Sequence, residues 1–290
     1  MAAVDWTFWK ELIGDENYKI KIIDIGAADM EGYSPSYKIL MDLGIADIIG
    51  FEANQEACEA LNKKNETTSL YLPYIIGDGK SATFYETNYA PTSSLYPPNT
   101  KLLEKFHYLN EFTTVIKEHQ VQTHRLDEIS EIDRADFIKI DIQGSELIAL
   151  ENGVNVLKTA VLVQVEVEFV EMYKGQPLFS DVDSFMRSQG FQFHCFSGGI
   201  SEQLPGRPFK PLMTDNDPNK PFNQTLWADA YYVKDWMNLK ALSREQLISY
   251  AILTHSVLGS IDLTHVILTH IDEVNNSSFS NKFINILTAN

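Results

Sequence analysis

Six carboxylates stand where apolar runs of this sequence end, and their spacing sets the chemistry it can do. Asp24 falls in I-K-I-I-D-I-G, Glu52 follows I-I-G-F, Asp78 sits in G-D-G, Asp141 closes F-I-K-I-D, and Glu166 and Glu168 alternate in V-E-V-E. A carboxylate drawn out of water is costly unless a partner or a ligand uses it. Asp141, at the end of a buried run, therefore points to a site. Glu52 comes 28 residues after Asp24, where a carboxylate can accept both hydroxyls of a ribose. Such charge-assisted bonds contribute about 1.5–3 kcal/mol. Asp78 is placed to accept an adenine amino group, although Asp-Gly is also an ordinary turn pair. In a strand, Glu166 and Glu168 share a face. With Asp141 they form an acidic centre that can deprotonate a hydroxyl, or in which Asp141 and Glu168 would hold magnesium. His124 and His194 are weaker candidates for the base.

The elements that must position these groups alternate along the chain. Strands are expected at 20–25, 47–51, 70–76, 82–86, 136–142, 161–168, 191–196 and 225–233, from short apolar runs bounded by turn residues. Ser34-Pro35 reads as a helix start, with Tyr37, Leu40 and Met41 on one side and an end before Gly44. Asn54 caps a helix to Lys64 with Ala57, Ala60 and Leu61 facing in. Further helices are expected at 146–152, stopped by Gly153, and at 179–189, closed by Gly190. Residues 113–125 alternate like an exposed hairpin. Segments 87–100 and 203–223 are turn-rich loops, and Tyr89, Tyr96, Arg207, Phe209 and Lys210 in them could line an acceptor pocket. Strands alternating with helices make an α/β fold, a mostly parallel sheet with helices on both faces. In such sheets ligands bind beyond the carboxyl ends of the strands.

The tail differs. Ser243 with Gln246 is a capping-box pair, and Leu247, Ala251 and Leu258 lie on one helical face. A second helix starts near Ser260 or Asp262, with Leu263, Ile267, Ile271 and Val274 in a stripe. The expectation is a main domain over 1–238 and a helical hairpin over 239–290, docked on the domain or on a second copy as a homodimer. His255 and His270 read as surface residues.

Composition bounds the partners. With 290 residues, 44% of them hydrophobic, the chain can bury a substantial core. Its net charge of −17 repels phosphate backbones, so nucleic acid is not an expected partner. Cys58 and Cys195, far apart, suggest a reducing compartment. The start lacks a basic-then-apolar signal, and the longest apolar run, around 160–167, is broken by Gln164 and Glu166. A cytoplasmic protein without membrane contact is expected.

The loop after the first strand, D-I-G-A-A-D, has one fixed glycine, Gly26. A dinucleotide site wants G-x-G-x-x-G, but Ala28 takes the second place and the next glycine is Gly32. This disfavours a nicotinamide-dependent oxidoreductase. Several stretches are similar in order and spacing to FkbM-type methyltransferases, together covering about residues 19–233. They are Asp24-Ile-Gly26-Ala27, Gly50-Phe51-Glu52-Ala53-Asn54, Thr92-Ser93-Ser94-Leu95 and F-I-K-I-D-I-Q-G-S-E around Asp141. V-E-V-E-F-V-E-M-Y, ending at Tyr173, and the closing Gln224-Thr-Leu-Trp227-Ala-Asp229 complete the set. The usual family loop reads D-x-G-A-N-x-G, from which Ala28 and the late Gly32 depart, so contacts at 29–31 should differ.

The resemblance implies a Rossmann-like class I methyltransferase sheet and S-adenosylmethionine as cofactor, which a loop without a pyrophosphate cradle suits. It also implies O-methylation of a small-molecule or glycan acceptor, a sugar or polyketide-type hydroxyl. The expected cofactor residues are Asp24, Gly26, Ala27, Glu52, Ala53, Asp78, Gly79, Asp141 and Gln143; the catalytic ones are Asp141, Glu166 and Glu168. A catalytically idle scaffold of the same fold is the alternative from another class, and it leaves strand-end carboxylates without a purpose.

Overall fold

Runs of β-branched residues buried on both faces build the centre of the sheet, the pattern of strands covered by helices on each side. The structure, a computed structural model, describes residues 6–27, 34–64, 69–197 and 204–288. The expectations for Ala28, residues 29–31 and Gly32 lie outside the described residues. The first half runs α1 (Trp6–Ile13), β1 (Ile20–Ile25), α2 (Lys38–Asp42), β2 (Ala46–Phe51), α3 (Gln55–Lys64), β3 (Ser69–Leu72), β4 (Ile75–Ile76), β5 (Ser81–Thr87), α4 (Thr100–Leu103), α5 (Leu109–Phe112) and β6 (Val115–His124). Then come β7 (Phe137–Ile140), α6 (Glu146–Glu151), α7 (Val154–Thr159), β8 (Leu162–Glu168), α8 (Phe179–Ser188), β9 (Phe191–Phe196) and β10 (Trp227–Lys234). Three helices close the chain: α9 (Arg244–Ser256), α10 (Ile261–Asn275) and α11 (Phe279–Thr288).

The main sheet has the order β3-β2-β1-β7-β8-β10-β9. Neighbours from β3 to β8 pair in parallel, and β10 runs antiparallel between β8 and β9. Strand order reverses between β1 and β7, the switch point where such sheets bind ligands. On one face Ile20, Ile22, Phe137 and Leu162 share a core with α1, α2 and α9–α11. On the other, Ile23, Ile25, Ile138, Ile140, Val163 and Val165 pack against α6, α7 and α8. A second sheet, β4-β6-β5, stands apart from the first.

Several expectations are corrected. Pro73 divides the strand expected at 70–76 into β3 and β4, since a proline cannot donate to the ladder. The run 113–125 holds one strand, β6 (Val115–His124), paired antiparallel with β5; no Asn-Gly-like pair inside the run could reverse it. The helix expected from Ser34-Pro35 begins at Lys38, the Pro35 carbonyl accepting the Lys38 N–H in a preceding turn. In α3 the inward residues are Cys58 and Leu61, while Ala57 and Ala60 are exposed, because the helix docks on Ala27 and Tyr71.

The tail is three helices. Its middle stretch, Leu247 to Thr254 of α9, is buried on every side, which a two-helix hairpin on a surface could not achieve. Leu247, Ala251, Ile267 and Ile271 are all used inside the chain, whereas Val274 is exposed. The Ser243–Gln246 capping box forms as expected. His255 is only partly exposed and packs against Trp9 and Phe283. Among the described residues no helix is long and apolar enough to cross a membrane.

Candidate active site

The carboxyl ends of β1, β2 and β7 meet where there is almost no side-chain volume. Gly26 has φ +86°, and a Cβ there would lie 2.0 Å from the Asp141 carbonyl oxygen. The chain leaving β1 thus presses directly on the end of β7. Gly26 and Ala27 both donate their N–H to the Phe51 carbonyl, at 3.1 and 3.0 Å. Ala27 packs with Cys58, Leu61 and Tyr71, and a Cβ on Gly50 would collide with the Tyr71 ring at 2.4 Å. Small residues let the strand ends and the chain leaving β1 pack this closely.

Polar groups surround the carboxyl ends of these strands. Glu52 stands one residue past β2, accepts the Asn54 N–H at 2.7 Å, and has its pKa raised by burial. Ala53 beside it is exposed. Asp24 is buried with both oxygens engaged, one 3.3 Å from Lys139 Nζ and the other accepting the Tyr37 hydroxyl at 2.5 Å. Its hydrogen bonding therefore braces β1 against β7 and α2. Asp78 turns toward Lys80, whose N–H and Nζ donate to it at 3.0 and 2.8 Å, and the Lys80 side chain first of all lowers its pKa. Gly79 follows with φ +81°.

The acidic centre forms on the β7–β8–β10 side. Gln143 has φ 55° and Gly144 φ 101°, a left-handed pair that turns the Gln143 side chain back over the strand ends. Its Nε2 donates to Asp141 Oδ1 at 3.0 Å and to Glu166 Oε2 at 2.6 Å. Asp229 on β10 lies directly across from Glu166. Glu146, buried at the start of α6, accepts the N–H of Ile142 at 2.9 Å on Oε1 and that of Gly144 at 2.9 Å on Oε2. Carboxylate oxygens of Glu146, Glu166 and Glu168 come within 4.8 Å of one another. Among the described residues this trio is a set within reach of one cation, and it shares Glu168 with the expected pair Asp141 and Glu168.

Crowded carboxylates in a dry place hold protons. Burial raises Glu146 to about 7, with Asp141 adding to it. Glu166 and Glu168 are pushed well above the usual range, first by burial, then by Asp141 for Glu166 and by Glu146 for Glu168. Asp229 rises for the same reasons, burial first and then Asp141. The centre can therefore take or release a proton close to neutral pH.

The flanking loops are tied to this centre. The Ser94 hydroxyl donates to the Gln143 carbonyl at 2.6 Å. The Tyr173 hydroxyl lies 2.9 Å from the Thr92 carbonyl and 3.0 Å from Gln143 Oε1. Of the expected pocket residues, Tyr89 is exposed beside Phe112, and Tyr96 packs on the small core of Leu103, Phe106 and Tyr173. Arg207 sits over Trp227, Phe209 against Phe106, and Lys210 pairs with Glu111. His124 stacks on Tyr74, and His194 lies on the edge strand β9, so neither belongs to the acidic centre. Nothing in the sequence marks Glu146, Asp229 or Lys139 as site residues, and Tyr37 reads there only as a helix-packing residue. Glu146 stands three residues after a turn glutamine at a helix start, and in that place it reads as an ordinary helix cap.

The methyltransferase FkbM domain matches residues 24–193, more than half of the chain. No curated protein matches. Among solved structures, magnesium protoporphyrin IX methyltransferase from Synechocystis PCC 6803, with bound SAM, is similar at 10% identity and a TM-score of 0.37, covering 79% of this chain and 76% of that one. A methyltransferase described as putative from Thermoplasma acidophilum is similar at 9% identity and a TM-score of 0.35, covering 81% and 76%. The 23S rRNA methyltransferase ErmE is similar at 9% identity and a TM-score of 0.33, covering 89% and 83%.

Proposed function

The chain belongs to the FkbM methyltransferase family, and from that premise we propose that it moves the methyl group of S-adenosylmethionine onto a hydroxyl of a sugar or natural-product acceptor. The observation that carries the reading is the pair Asp141 and Glu166, bridged by one amide beside the close packing of Gly26 on the end of β7. The cofactor brings a methyl on a cationic sulfur. Everything else is done by the chain. The backbone at Gly26 and Ala27 lies against the cofactor at the switch point, Glu52 with Ala53 receives the ribose hydroxyls, and the Asp78-Gly79 turn bounds the adenine end. Asp24 acts on the site through Lys139 and Tyr37, as a brace.

An aliphatic hydroxyl is a poor nucleophile, so a group near it must take its proton as the methyl bond forms. Asp141, Glu166 and Glu168 are the groups we assign to that task, and burial first of all raises the proton affinity of Glu166 and Glu168, which suits them to accept a proton. Alignment of acceptor oxygen, methyl carbon and sulfur supplies the rest. We read the centre as working without magnesium, because Glu146 already accepts backbone N–H groups on both oxygens and Glu166 accepts the Gln143 amide. The free thiols of Cys58 and Cys195 fit a cytoplasmic setting.

Calorimetry with S-adenosylhomocysteine tests the cofactor half of the proposal. The wild-type chain should bind with a dissociation constant at or below about 0.1 mM, close to −5.5 kcal/mol. Glu52→Ala should weaken binding by about 1.5–3 kcal/mol, since two hydroxyls lose a charged acceptor. An unchanged affinity in that variant removes Glu52 from the ribose site, and no heat from the wild type removes the cofactor.

A further inference from the structure

Gln143 is held by more groups than a turn residue needs. Its backbone takes a left-handed conformation that non-glycine residues adopt rarely. Ser94 fixes its carbonyl, the Tyr173 hydroxyl meets its Oε1, and Nε2 places one N–H on Asp141 and the other on Glu166. With oxygen toward a phenol and nitrogen toward two carboxylates, the amide has one sensible orientation and both its protons are used. Backbone strain of this kind persists only where the surroundings over-determine it.

We propose that Gln143 is a positioning residue: its amide clamps Asp141 and Glu166 as a pair, and Ser94 and Tyr173 lock that clamp to the loop at 87–100. The inference rests on the acidic centre proposed above as the place where the acceptor hydroxyl loses its proton. Without the clamp, two carboxylates of like charge would separate or share a proton. With it, each has a donor that favours the charged form, and the loop that borders the acceptor is coupled to the base. The groups facing Glu166 are Asp141 after β7, Glu146 on α6, Glu168 on its own strand, Asp229 on β10 and Tyr173 after β8. All of these raise the proton affinity of Glu166 or lack a charge to lower it. Lys139, the cation on β7, is paired with Asp24 and acts on Asp229. The Gln143 amide is thus the group hydrogen-bonded to Glu166 that opposes protonation.

The test needs neither acceptor nor cofactor. In the full-length chain labelled with 13C at glutamate carboxyls, the Glu166 resonance, identified by its loss in Glu166→Gln, is followed against pH. Gln143→Asn and Gln143→Gly both tolerate the left-handed backbone, yet neither can bridge the two carboxylates. Both should move the Glu166 midpoint upward by about one pH unit or more, the shift expected when a carboxylate loses a charge-assisted donor. If Gln143 served only to shape the turn, these two variants would titrate like the wild type, and that result overturns the proposal. S-adenosylhomocysteine calorimetry on the wild type keeps the two claims apart. Loss of cofactor binding would sink the proposed function while leaving the titration result to stand or fall by itself.

Discussion

Glu168→Gln is expected to make the chain more stable at pH 8 and, with an acceptor in hand, at least about a hundredfold slower. Both effects follow from one cause. Glu168 is buried among Glu146 and Asp141, and its folded pKa lies well above the reference 4.5. The folded chain holds a proton that the unfolded chain releases. Stability from this group is therefore complete below about pH 4.5 and lost as pH rises through the folded value. Glutamine keeps the neutral shape at every pH, so the variant should gain at least about 1 kcal/mol at pH 8 and almost nothing at pH 4. Thermal unfolding at the two pH values measures this. Turnover falls because the centre loses a proton acceptor, and Asp141→Asn should lower it by a similar factor. Adding a chelator should leave the wild-type rate alone. Near-normal turnover in both variants would mean that alignment alone carries the reaction, and equal melting at pH 8 would mean that Glu168 is not strained by its neighbours.

Gly26→Ala should be the most damaging single change at the cofactor edge. The φ of +86° disfavours any L side chain by about 1–2 kcal/mol, and the new Cβ would meet the Asp141 carbonyl at 2.0 Å. That oxygen belongs to a backbone pinned by the Asp141 N–H to the Ile25 carbonyl at 3.0 Å, so it cannot move without parting β1 from β7. Overpacking of this kind adds about 1–3 kcal/mol. Urea unfolding should show a loss of about 2–5 kcal/mol, and calorimetry should show S-adenosylhomocysteine binding weakened by at least about tenfold. Wild-type values in both would show that the loop after β1 does not rest on β7.

The strongest apolar runs were readable without a structure. β1 and β9 begin and end where their hydrophobic residues do, and the Ser243–Gln246 box and the Asn54 cap are local patterns that the fold preserves. Methyl transfer was legible through motifs rather than through periodicity, since F-I-K-I-D-I-Q-G-S-E is specific where a lone glycine loop is not. What stayed hidden depends on distance along the chain. Asp24 and Lys139 are 115 residues apart, and nothing local shows that the aspartate at a strand end is paired rather than open. Gln143 looks like a turn residue until its left-handed backbone sends the amide back to Asp141 and across to β8. Glu146 hides behind a position where glutamate is common for the sake of the helix dipole. The tail misled in another way. A single apolar stripe in each helix suggested a hairpin, whereas α9 is buried all round because α1, α10 and α11 enclose it.

Whether the carboxyl edge of β1, β2 and β7 receives the cofactor beside the acidic centre is tested most directly by a crystal structure with S-adenosylhomocysteine bound. The ribose hydroxyls are expected on Glu52, the chain at Gly26 and Ala27 against the ligand, and the sulfur facing Asp141 and Glu166. A ligand seated elsewhere, or one at this edge with Glu52 turned away and the sulfur remote from both carboxylates, would contradict that expectation.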